Sequence, residues 1–245
     1  MRFTRLITRR FGRERAALYD VELEHLFKKG YGTEEIGTLL ETQAFPIGIF
    51  DILSMLTRST LSVKDLEKSL FFLFNRHTVI RETLSKLLKP KSRILDVGCG
   101  RGLVACSLAL EGFEVHGVDV SADAIEIGKN LAEKLDCRPT FSLIKENKLP
   151  FPNEYFDAAV CVWTLHEVSQ DQIPKLLAEV GRTLRKSSTI FIIDQDGVAP
   201  FENIKNIMDQ QGFELVLEKS LSPVYDHGRN SQAIMVKYVK RDLER

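Results

Sequence analysis

From residue 91 onward, short apolar runs alternate with stretches whose apolar residues recur every three to four positions. RILDVGC (93–99), FEVHGVDV (113–120), TFSLI (140–144), AAVCVW (158–163), TIFIID (189–194), FELVLEKS (213–220) and AIMVKYV (233–239) are dense in β-branched and aromatic residues and read as strands. Between them, Leu103 to Leu110, Ala122 to Leu135, Ile173 to Leu184 and Phe201 to Gln211 have helical periodicity, with Ser121 placed as an N-cap. Strand–helix alternation of this kind builds a parallel sheet with helices on both faces. The last two strands are separated only by LSPVYDHGRNSQ, too short for a helical crossover, so they form an antiparallel hairpin at the sheet edge.

Residues 1–90 follow a different pattern. ERAALYDVELEHLFKKG, TEEIGTLLETQ, PIGIFDILSML and VKDLEKSLFFLFNRHTVIRETLSKLLK all have helical spacing, with Ser62 as an N-cap and Asp65 in the first turn of the last one. The chain therefore divides into a helical N-terminal region, 1–90, and an α/β domain, 91–245. The helical region is expected to serve as a lid, a substrate-recognition element or a dimer surface, with Tyr19, Tyr31, Phe45 and Phe50 available to line a pocket. KKGYGTEEIGTLLETQAFPIGIFDILSML has the outline of a helix-turn-helix, but PIGIFDILSML offers almost no side chain that could touch phosphate or base edges.

Composition narrows the class. Apolar residues make up 44% of the 245, ample for a packed interior, and 34 basic residues balance 34 acidic ones. No net field draws the chain to nucleic acid or to a membrane, and no apolar run reaches the roughly 18 residues of a span. The first fifteen residues carry six arginines and one acid, with Phe3, Leu6, Ile7 and Phe11 on one helical face. They suit a surface helix; a basic arm or an organellar transit peptide are the other readings. Cys99, Cys106, Cys137 and Cys161 have neither C-x-x-C spacing nor the density of a disulfide framework, which points to a reducing, cytoplasmic setting without structural metal.

The candidate chemistry lies where the first strand ends. Gly98, Gly100 and Gly102 follow Asp96 with G-x-G-x-G spacing, and Asp119 closes the next strand 21 positions after Gly98. A glycine turn lets backbone approach a ligand, and an acid at the second strand's tip can accept ribose hydroxyls. The dinucleotide fingerprint G-x-G-x-x-G is not met, because its third position is Leu103. A carboxylate at Asp96 suits a ligand bearing an amine or a sulfonium better than a diphosphate.

In these residues the chain resembles the class I S-adenosylmethionine-dependent methyltransferases, whose first motif, D-x-G-x-G-x-G after an apolar strand, matches Asp96, Gly98, Gly100 and Gly102. LPFPNEYFDAAVCVWTLHEV (149–168) resembles that family's segment leading into the fourth strand, and a terminal hairpin is also a family feature. The resemblance implies a Rossmann-like, seven-stranded, mostly parallel sheet and S-adenosylmethionine as methyl donor, with S-adenosylhomocysteine as product. It implies a cofactor site of Asp96, Gly98, Cys99, Gly100, Gly102, Asp119, Val120, Glu146, Asn147, Val162 and Trp163. Lys145 stands where many members carry an acid for the adenine amine, so Glu146 or backbone groups at that turn take that part. The family's L-K-P-G-G turn before the fifth strand is here Leu184, Arg185, Lys186, Ser187 and Ser188; a lysine and two serines replace the proline and glycines, so that turn takes another shape.

His166 is the catalytic candidate. A neutral imidazole there could take a proton from an oxygen or nitrogen nucleophile, with Glu167 or Asp171 fixing its tautomer. A thiolate or an activated carbon would need no base, and the histidine would then only pack near the site. The favoured acceptor is a small molecule, with a protein side chain second and nucleic acid disfavoured; a homodimer through the N-terminal helices is possible. A cofactor-binding partner without catalysis and a nicotinamide-dependent enzyme are the rival classes.

Overall fold

The computed structural model describes Ala17, Val21 and residues 79–145, 148–195, 199–226 and 229–241. The expected helices before residue 79, the aromatic set Tyr19, Tyr31, Phe45 and Phe50, and both Glu146 and Asn147 lie outside the described residues.

A helical segment at 79–87 leads into β1 (Arg93–Val97), α1 (Leu103–Leu110), β2 (Glu114–Asp119), α2 (Ala122–Leu135), β3 (Thr140–Leu143) and β4 (Phe156–Val162). A single 3₁₀ turn (Leu165–Glu167), α3 (Ile173–Thr183), β5 (Leu184–Gln195), α4 (Phe201–Gln210), β6 (Phe213–Asp226) and β7 (Arg229–Lys240) follow. The seven strands form one sheet in the order β3-β2-β1-β4-β5-β7-β6. The first five pair in parallel, while β7 is antiparallel to both β5 and β6. The expected mostly parallel sheet with a terminal hairpin is therefore present. The hairpin doubles back so that its second strand enters between β5 and β6.

The near-continuous apolar runs follow from this arrangement, since both faces of the central strands are covered. Ile94, Ala158, Val160, Phe191, Ile193 and Met235 face one core, with α1, α2 and Ile80, Leu84 and Leu88 from the 79–87 segment and its end. Leu95, Val97, Ala159, Cys161, Ile190, Ile192 and Val236 face the other, with α3 and α4. Successive residues point to opposite faces, the two-residue period of a strand. The N-cap reading of Ser121 holds, its Oγ accepting from the Ala124 N–H at 3.2 Å. Among the described residues no helix is long and apolar enough to cross a membrane.

Two strand limits depart from the periodicity. Residues 184–188, expected as a turn, belong to β5: Leu184 pairs with Phe156, and the register shifts before Ala158 pairs with Thr189. Ser187 takes up the irregularity at φ 56°, and the Arg185 guanidinium bonds the Asp157 carboxylate across the pair. The stretch 221–232, expected as a loop, is largely ladder: β6 and β7 pair out to Asp226 and Arg229. Each strand supplies the partners for the other's backbone groups, so the ribbon continues after β5 has ended.

Candidate cofactor and catalytic site

Every strand of the parallel part ends on the same edge, and the motif residues gather there. Gly98, Gly100 and Gly102 have φ of +65°, +52° and +77°, the left-handed region that side chains disfavour. Their surroundings differ. A Cβ on Gly98 would lie 2.2 Å from Thr164 Cγ2, and one on Gly102 2.7 Å from Phe141 Cζ and 3.1 Å from Gly128 Cα. These two glycines let the turn pack against β4's end and against α2. Gly100 faces open space, with nothing within 4 Å of its would-be Cβ. It forms the half-buried lip of the turn, with room beside it for a ligand.

Asp119 straps this turn to the tip of β2. Its Oδ2 accepts the Gly100 N–H at 2.8 Å and its Oδ1 accepts the Ser121 N–H at 2.9 Å. Each carboxylate oxygen retains acceptor capacity. Val120, beside it, is 70% exposed, an apolar side chain held at the surface of the same edge. Cys99 donates its N–H to the Val118 carbonyl and buries its Sγ; burial, with Asp96 and Asp119 adding to it, pushes its thiol pKa up. It packs as a small hydrophobe, as the sequence suggests.

Asp96 is the electrostatic outlier. It is 1% exposed, and its Oδ2 has no hydrogen-bond partner among the described residues. Desolvation, and secondarily the Asp119 charge, lift its pKa to about 7 against the opposing hydrogen bond from the Ala105 N–H. A buried carboxylate oxygen without a partner costs free energy unless a cation or donor reaches it. An ammonium or sulfonium ligand at the glycine turn would supply that partner, so Asp96, Gly100 and Asp119 fit an adenosyl ligand carrying a cationic amino acid.

The end of β4 completes the edge. Val162 is its last residue, and Trp163 donates its N–H to the Ile193 carbonyl at 2.8 Å while holding φ 54°, a strained conformation for an aromatic residue. Thr164 Oγ1 donates to the Val97 carbonyl at 3.0 Å, tying this bend to the glycine turn. His166 follows on the 3₁₀ turn. Its backbone N–H meets Asp194 Oδ2 at 3.2 Å, and its Nδ1 lies 2.7 Å from Asp194 Oδ1. Of the two expected tautomer partners, one reaches the ring and one does not. Asp171 accepts from Gln172 instead, Glu167 reaches Nε2 at 3.2 Å, and the Nδ1 partner is Asp194, 28 residues away in sequence. The available sequence signal is the one that singles out Asp119: an acid closing a buried apolar strand.

Known proteins share this fold and parts of this sequence. Residues 94–187 match a family model described as a methyltransferase domain. A 2-phytyl-1,4-naphtoquinone methyltransferase of Trichormus variabilis is 35% identical over 111 residues, 43% of this chain and 48% of that protein. A demethylmenaquinone methyltransferase of Symbiobacterium thermophilum is 29% identical over 167 residues, covering 64% of this chain and 62% of that protein. The chain thus spans about half to three fifths of the length of these relatives. A solved SAM-dependent methyltransferase from Methanosarcina mazei superposes with a TM-score of 0.58 at 18% identity, covering 65% of this chain and 97% of that one, a likeness of fold. The sheet order, the glycine turn and these matches define a class I methyltransferase domain. Residues 94–187 thus carry a methyltransferase domain.

Proposed function

We propose that the protein binds S-adenosylmethionine at the β1–β2 edge and transfers its methyl group to a small-molecule acceptor entering over β4 and β5. The observation that carries this reading is the partnerless buried oxygen of Asp96 beside a glycine lip and Asp119. A ligand joining a cation to an adenosine ribose answers both carboxylates, whereas a dinucleotide diphosphate would meet repulsion at Asp96. The bound donor supplies an electrophilic methyl on a sulfonium. The chain's own contribution is placement: Asp96 holds the cationic end, Asp119 the ribose, and Val120 the adenine face. Val162 and Trp163 wall the reacting end. Alignment of this kind supplies roughly 7 to 11 kcal/mol in well-oriented transfers.

The quinone substrates in the relatives' names favour a small acceptor over a protein side chain. The N-terminal region, 1–90, is proposed to shape the acceptor's side of the site, and the free cysteines suit a reducing cytoplasm. Calorimetry with S-adenosylhomocysteine on wild type and Asp96→Asn tests the cofactor reading. Binding that collapses in the variant supports it. Tight NADH binding without any response to S-adenosylhomocysteine would overturn it.

A further inference from the structure

We propose that Asp194 and His166 act as a carboxylate–imidazole pair that removes the proton of a hydroxyl group on the methyl acceptor, making the protein an oxygen-directed methyltransferase. This rests on the methyl-transfer reading above. It stands on the two-point hold that Asp194 places on His166. Asp194 is fully buried at the carboxyl end of β5, and its two oxygens face the backbone N–H and Nδ1 of the same histidine, at 3.2 and 2.7 Å. An ionised carboxylate can only accept hydrogen bonds. The backbone N–H donates to one oxygen and Nδ1 to the other, so Nε2 is the ring nitrogen that can serve as the base once Glu167 is displaced from it. A histidine that merely filled space would not need a buried carboxylate, whose desolvation is repaid only by such bonds.

Nε2 lies on the side of Glu167. Its neighbour there is Glu167 Oε1 at 3.2 Å, on a side chain 79% exposed. An exposed pair of this kind is worth about 0 to 1 kcal/mol, so an entering acceptor can displace it. The neighbouring Thr164 is bonded to the Val97 carbonyl before the glycine turn, which keeps His166 on the same edge as the proposed donor site.

The pair also specifies the acceptor's chemistry. A neutral amine attacks with its lone pair and can lose its proton afterwards, and a thiol ionises readily with a pKa of about 8.5. A hydroxyl is a weak nucleophile until its proton leaves, so a positioned imidazole is of most use to oxygen. In the balanced step the acceptor oxygen forms the bond to the methyl carbon as the sulfur–carbon bond breaks. That bond's electron pair stays on sulfur, giving the thioether, and the hydroxyl proton ends on Nε2. The resulting imidazolium is stabilised by Asp194.

Two readouts test this. Nitrogen-15 imidazole spectra of the full-length protein report the tautomer without any turnover. Wild type should show a protonated Nδ1 and a bare Nε2 at about pH 8. In Asp194→Asn the amide can accept only one of the two donors and presents N–H₂ to the other, so the ring should lose this tautomer. A wild-type ring that stays doubly protonated at that pH, bridging Asp194 and Glu167, or that carries its proton on Nε2 alone, would overturn the proposal. The second readout incubates methyl-labelled S-adenosylmethionine with cell extract and identifies the atom that receives label. Label on oxygen, lowered about 10²-fold or more in His166→Gln and in Asp194→Asn with S-adenosylhomocysteine binding unchanged, is the expected result. Label on carbon or sulfur, or a His166→Gln variant of undiminished rate, refutes the pair. His166→Gln keeps Asp194 in place and serves if Asp194→Asn fails to fold. Failure to bind S-adenosylhomocysteine at all would instead sink the cofactor reading beneath it.

Discussion

Asp96→Asn separates what the site costs the fold from what it gives the ligand. The wild-type carboxyl is lifted to about 7 in the folded chain, chiefly by burial, against about 3.9 in an unfolded one. The folded state thus binds this proton more tightly than the unfolded state, and stability falls as pH rises from about 4 to about 7. Integrating the two titrations gives a loss of about 2.5 kcal/mol between pH 5 and pH 8 from this one group. Asparagine cannot ionise. Its oxygen can keep the Ala105 N–H, while its amide takes the place of the partnerless Oδ2 at a cost of about 1 to 3 kcal/mol that does not change with pH. Urea unfolding at both pH values should therefore show wild type losing about 2.5 kcal/mol more than the variant on going to the higher pH. Affinity for S-adenosylhomocysteine should move the other way. Loss of a charged, buried hydrogen bond weakens binding by about 10- to 150-fold. Parallel pH dependence of stability in the two proteins would refute the claim that Asp96 is buried and uncompensated without ligand.

In wild type the same titration makes S-adenosylhomocysteine bind about tenfold more weakly at pH 6 than at pH 8, because the carboxyl must ionise to face a cation; calorimetry at the two pH values checks it. Gly100→Ala and Gly102→Ala should split by readout. The first meets open space and costs about 1 to 2 kcal/mol of left-handed strain, but its methyl stands on the ligand's side and should weaken S-adenosylhomocysteine binding. The second also strikes Phe141 and Gly128 and should lose a further 1 to 3 kcal/mol or so in urea; the reverse order would contradict the assigned surroundings. Lys240, whose Nζ donates to the Gly181 and Leu184 carbonyls at 3.0 and 2.6 Å, closes the end of α3, and Lys240→Met should cost about 1 to 3 kcal/mol. Cys99 and Cys161, buried with thiols held protonated, should resist iodoacetamide until the protein unfolds; rapid native alkylation of Cys99 would mean the glycine turn opens.

Local chemistry was enough for much of this protein. Leu103–Leu110 and Ala122–Leu135 begin and end where the apolar spacing and the Ser121 cap place them, because a helix is bounded by bonds within its own few turns. Asp96, the three glycines and Asp119 were legible because turn geometry restricts residue type at each position. Strand limits were less so. Whether Leu184 to Ser188 turn or extend depends on Phe156 being alongside, and whether 221–232 is loop or ladder depends on its partner strand. The helical spacing before residue 79 remains an expectation from sequence. The acid that orients His166 was the least accessible part. Glu167 and Asp171 are near in the chain, yet Asp194 reaches Nδ1 only because β4 and β5 are parallel neighbours ending at the same level. A sequence determines which residues can take a conformation or a proton, but contacts between separate strands belong to the register that tertiary packing sets.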